Sequence, residues 1–194
     1  MSLNPLEARE RPIITAGSEI MGGVLLTRTG IVVDYDENPT PYEQVYGVVN
    51  GQLTDEQAAQ PPAVAEAVHS TVKMLLPYSE DRYKDILGKQ AEAKGVVSLR
   101  PDDRIGLSVF IFEGGICHQQ ALLAGAMFTL FKQRRSLDAE ISVESTIPNK
   151  AHPDRHVRAV LRTDTEHIAL ETAQVSRSRR RLPQYPMIAS SVLR

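Results

Sequence analysis

A single cysteine, Cys117, stands in this chain of 194 residues, and its surroundings are those of a nucleophile. It follows Glu113-Gly114-Gly115-Ile116 and precedes His118-Gln119-Gln120 and an apolar run from Ala121 to Phe131. A helix through that run has no polar face, so it must be buried all round. Gly114 and Gly115 break the strand-like stretch Leu107–Phe112 and put Cys117 in the first turn of the helix. There the unused N–H groups and the positive end of the helix dipole favour the thiolate, which is the nucleophilic form. The plain alternative is a small apolar core residue.

A thiol nucleophile needs a base and a group that orients the base. His156 opens the run to Thr163, and Glu171 lies in the run Glu166–Gln174. Only Asp164-Thr165 separates the two runs, which predicts an antiparallel hairpin with Arg158 opposite Glu171 and His156 opposite Ala173. Side chains alternate with period two, so His156 and Glu171 share one face as diagonal neighbours. A one-residue change of register would separate them.

Three elements in this order carry a resemblance. They are Gly114-Gly115-Ile116-Cys117-His118-Gln119-Gln120-Ala121-Leu122-Leu123, a strand beginning at His156, and a strand carrying Leu170-Glu171-Thr172-Ala173-Gln174. The series resembles the transglutaminase-like cysteine-enzyme superfamily, a circularly rearranged relative of papain-like proteases. Members usually show Gly-x-Cys followed by Arg and His or Tyr, then His-Ala-Trp, then Asp-Pro-x. Here the acid is Glu171, His118 follows the cysteine, and Arg158 stands where Trp is common. The likeness runs from about Val68 to Gln174, and order and spacing make it more specific than any one motif.

The resemblance implies an α+β fold, with the nucleophile helix packed on an antiparallel sheet. It also implies a Cys117-His156-Glu171 triad acting on peptide or isopeptide amides as a protease, deamidase or transamidase, with hydrolysis favoured over cross-linking. Cys117 would attack the acyl carbon, and His156 would take the thiol proton and return it to the leaving amine. Glu171 would hold the imidazole in the useful tautomer. The Cys117 backbone N–H is one natural oxyanion donor; the sequence identifies no second one.

The elements that must position these groups divide the chain into three. Residues 1–60 read as a β-rich arm, able to pack on the main domain or on a second copy of the chain. Its signals are Val24-Leu25-Leu26 and Ile31-Val32-Val33 around Thr27-Arg28-Thr29-Gly30, a turn at Asn38–Pro41 and a short strand at Tyr46–Gly51. Residues 61–176 form the catalytic domain. Pro62 opens a helix whose Val64, Val68, Val72, Leu75 and Leu76 recur at helical spacing, and Pro77 stops it. Ser79 caps a second helix that ends at Gly88. Ala91–Asp103 reads as loop with Val96 and Val97 touching the core, and Ile105–Phe112 as an extended lead-in to Cys117. Lys132, Arg134 and Arg135 suit the helix C-terminus. Leu137, Ala139, Ile141 and Val143 alternate as a half-buried strand. Residues 177–194 are a tail whose Arg177-Ser178-Arg179-Arg180-Arg181 reads as a solvated basic run, with binding to phosphate or an acidic surface as the minority reading.

Two other functions compete. A binding module could keep the fold without the activity, in line with the changes at His118, Arg158 and Glu171. A metal site could draw on Cys117, His118, His152 and His156, although Pro153 opposes a helix between the last two and no paired cysteines support structural zinc. No metal and no cofactor is expected. His69, His118, His152 and His167 are read as surface or packing residues, His118 pointing sideways from the helix start. Net charge is −2 with 24% charged and 42% apolar residues, so neither nucleic acid nor membrane is called for. The expected partner is a protein or peptide substrate. One cysteine excludes an internal disulfide and suits a reducing compartment such as the cytoplasm. No apolar stretch is long enough to span a bilayer, and Met1-Ser2-Leu3 opens no secretion signal.

Overall fold

The computed structural model describes residues 9–12, 19–21, 30–100, 103–145, 157–170 and 178–180. Three short strands come first: β1 (Arg9–Pro12), β2 (Glu19–Met21) and β3 (Gly30–Val32). Helices α1 (Pro39–Gly51), α2 (Asp55–Ala58), α3 (Pro61–Leu75) and α4 (Glu80–Ala93) follow. Then come β4 (Arg104–Gly106), a 3-10 turn at Leu107–Val109 and the long helix α5 (Cys117–Arg135). Strands β5 (Glu140–Ser145), β6 (Val157–Arg162), β7 (His167–Leu170) and β8 (Ser178–Arg180) end the described chain. The molecule is thus mixed α and β. Among the described residues, no helix is long and apolar enough to cross a membrane.

The centre is α5. Leu122, Leu123, Met127, Phe128 and Phe131 have no exposed surface, as a helix without a polar face requires. Helices α1 and α3 and strands β5 and β6 all pack on it. Its last turn carries Lys132, Arg134 and Arg135, and it stops at Ser136 in the left-handed conformation.

The larger sheet is antiparallel in the order β1-β5-β6-β7-β8. Val143, Val157, Ala159, Leu161, Ile168 and Leu170 join the core that contains α5. On the other face Val160 and Ala169 are also buried but lie outside that core, so the sheet is covered on both sides. The hairpin register matches the one a two-residue turn demands. Ala159 faces Leu170, Leu161 faces Ile168, and Thr163 and Glu166 close the turn around Asp164-Thr165.

Several expectations need correction. The described part of residues 1–60 is not only β: α1 takes up the expected strand at Tyr46–Gly51 and, with Asn38 as its cap, the expected turn at Asn38–Pro41, and α2 follows. Tyr42, Val45 and Val49 form one helical face with no exposed surface, and Tyr46 lies on Phe131 with ring centroids 4.9 Å apart. Residues 39–58 are therefore part of the main core and not an appendage. Strand β3 pairs with Glu19–Met21 and, in parallel, with β4, whereas Val24–Leu26 lie outside the described residues.

Helix α4 runs through Gly88, where a β-carbon would meet open space. It ends instead at Gly95 (φ 68°), with Gly95 N–H bonded to Glu92 O and Val96 N–H to Ala91 O. Val97 is fully exposed and touches no core. The basic run is not all tail, since Ser178–Arg180 add an edge strand to β7.

Candidate functional site

The start of α5 is held by the exit of α3. Three successive carbonyls there accept hydrogen bonds from three different parts of the site. Leu75 O accepts from Phe112 N–H (2.8 Å), Leu76 O from Gln120 Nε2 (2.9 Å), and Pro77 O from Gly115 N–H (3.1 Å). Ser79 N–H donates back to Gly115 O at 2.7 Å. The glycine pair is required by this closeness. At Gly114 (φ 121°) a β-carbon would sit 3.1 Å from Pro77 O. At Gly115 it would sit 3.0 Å from Gln119 Cβ and 3.2 Å from Leu76 Cδ2. Phe112 is left-handed too (φ 73°) and half exposed, an uncommon state for a bulky residue.

Cys117 is the first residue of α5, after extended Ile116. It is buried, 8% exposed, yet it does not belong to the continuous apolar core. Its Sγ lies 3.7 Å from His118 Nδ1. His118 therefore turns toward the thiol, where the sequence reading had it pointing sideways. Two residues further on, Gln119 Oε1 accepts the Ile116 N–H at 3.0 Å. Its position three residues past the helix cap is the one signal that could have marked it beforehand.

Of the expected triad only Cys117 is located. His156 and Glu171 lie outside the described residues, as does His152. Their described neighbours Val157 and Leu170 both face the core beneath α5. His167 sits in β7 opposite Arg162 and Arg180, on the face turned away from α5, and His69 is part of α3. Among the described residues, no group of three or more His, Cys, Asp or Glu side chains could hold a metal ion.

A second buried polar group escaped the sequence reading altogether. Asp34 is 8% exposed and accepts hydrogen bonds from Tyr42 OH (2.7 Å), Ser108 N–H (3.0 Å), the Ser108 hydroxyl and Asn38 Nδ2 (3.1 Å). It fastens the end of β3 to α1 and to the 3-10 turn. All its partners belong to the scaffold, so its role is to support the segment that leads to Cys117.

No protein-family model, curated protein or solved structure matches the chain. Its own geometry defines a mixed α and β protein with a cysteine at the head of a buried helix and an antiparallel sheet against that helix.

Proposed function

We propose that this chain is a thiol-dependent acyl-transfer enzyme of the transglutaminase-like kind, acting on peptide or isopeptide amides. Cys117 is the nucleophile, His156 the base and Glu171 its orienter. The observation that carries the proposal is Cys117 as the first residue of a helix that is buried from Gln119 to Phe128. The N–H groups of a first helical turn have no acceptor inside the helix, and the dipole there favours negative charge. The same position serves the thiolate and the oxyanion that forms on the attacked carbonyl. The order of elements supports it: helices, nucleophile helix, then an antiparallel sheet packed on that helix.

The triad makes a specific demand on the hairpin. Val157 and Leu170 face the α5 side, so uniform alternation would turn the next residue outward on each strand to the other face. A working triad needs a bulge or bend at His156–Val157 and at Leu170–Glu171. This same pair of inward residues favours the second reading, a binding scaffold whose thiol is not activated.

Alkylation separates the two. In the enzyme reading, native Cys117 reacts with iodoacetamide with an inflection below the unperturbed thiol pKa of about 8.5, and His156→Ala raises it. A profile with no inflection below about pH 8, unmoved by His156→Ala, leaves the scaffold reading standing.

A further inference from the structure

Cys117 is 8% exposed, which leaves little room for an acyl group to approach its sulfur. We infer that Phe112–Ile116 is a strap that opens locally to expose Cys117, and that the strained backbone of Phe112 sets how often it opens. The inference concerns access to the sulfur and does not depend on whether the thiol is activated.

The strap is tied to the exit of α3 by main-chain hydrogen bonds. Phe112 N–H donates to Leu75 O (2.8 Å), Gly115 N–H to Pro77 O (3.1 Å), and Ser79 N–H to Gly115 O (2.7 Å). The N–H groups of Glu113 and Gly114 both turn back to Phe110 O. Ahead of the strap, Phe110 and Ile111 are buried and fixed in the core. Within it, Phe112 is 47% exposed and Glu113 is exposed, and Tyr78, bridged to Gly115, is 49% exposed. Few buried side chains therefore hold the first half of the strap, the condition under which a segment opens before the core does. Cys117 lies two residues beyond Gly115, within about 7 Å of chain, so the start of α5 moves when the strap lets go.

Phe112 biases that equilibrium. Its φ of 73° crowds the β-carbon against the backbone, a cost that glycine does not bear. The closed strap carries the cost, and the open strap, free to return to negative φ, loses it. Such strain persists only where the surroundings impose it, here through the bond to Leu75 and the pair to Phe110. Glycine at this position would close the strap more firmly, yet the chain holds phenylalanine.

The test reads alkylation of Cys117 by iodoacetamide in the folded chain, corrected for the thiolate fraction. Phe112→Ala drops the ring and keeps the strain; Phe112→Gly drops both. Phe112→Gly is expected to react about fivefold more slowly than Phe112→Ala, with Phe112→Asn, which tolerates left-handed backbone, between them. Rates within about twofold across the three would overturn the inference. Strain relief would also slow exposure by global unfolding, so Val49→Ala supplies the control. Val49 has no exposed surface and lies in α1, which has no part in the strap. Its loss should raise the unfolded fraction and leave the alkylation rate within about twofold of wild type. A rate that rises in step with the unfolded fraction would show that global unfolding alone exposes Cys117, and would overturn the strap.

Discussion

A β-carbon at Gly106 would lie 2.1 Å from Oδ2 of Asp34, so the carboxylate fills the space that any larger residue would need. Glycine at 106 and a buried acid at 34 are thus one arrangement. Gly106→Ala must displace the carboxylate from Ser108, Tyr42 and Asn38. The expected cost is about 3 kcal/mol, combining overpacking with broken buried hydrogen bonds. Urea unfolding measures it. A loss below about 1 kcal/mol would mean that the acid moves aside without consequence.

Asp34 also sets an acid dependence. Burial pushes its carboxyl up, but the hydrogen bonds from Ser108, Tyr42 and Asn38 together hold it below the ordinary value. A carboxyl lowered by folding contributes stability that is fully present above its unfolded pKa of about 3.9 and is lost as pH falls through the folded value. Wild type should therefore lose stability below about pH 4. Asp34→Asn should be less stable at neutral pH and fall less steeply in acid. Parallel acid limbs for the two proteins would remove Asp34 as a cause.

The α5 core is expected to behave as a close-packed interior. Leu123 and Phe128 have no exposed surface. Leu123→Ala and Phe128→Ala should each cost about 2–5 kcal/mol in chemical denaturation. Costs below about 0.5 kcal/mol at both positions would mean that α5 is not the platform of the site.

In the proposed thiol enzyme, two histidines compete as partner of Cys117. His118 Nδ1 is 3.7 Å from Sγ, but its ring stands at the positive end of α5, which disfavours an imidazolium. His156→Ala should accordingly raise the Cys117 pKa more than His118→Ala does. Iodoacetamide profiles of the two variants decide it. The opposite order would make His118 the proton acceptor and remove His156 from the mechanism.

Much of this architecture is legible without coordinates, and for local reasons. An apolar run with no polar face can only be a buried helix, so α5 and the place of Cys117 at its head follow from residue types alone. Pro61 and Pro62 start α3 and Pro77 bars its continuation, because a proline ring fits only the first turn of a helix. The β6–β7 register follows because a two-residue turn between two strands leaves one pairing open.

What the chain order hides is decided by contacts far apart in sequence. Tyr42, Val45 and Val49 become a helix face because α3 and α5 offer a surface to bury them; locally, Gly47 and the β-branched Val48-Val49 argue for a strand. Asp34 meets Ser108 across 74 positions, and β3 pairs in parallel with β4, relations that no local periodicity encodes. The turn of His118 toward the thiol and the fold of Gln119 over Ile116 are rotamer choices. The second is set by the crowding of Gln119 and Leu76 against Gly115 at one helix end, so tertiary packing decides it where residue spacing does not.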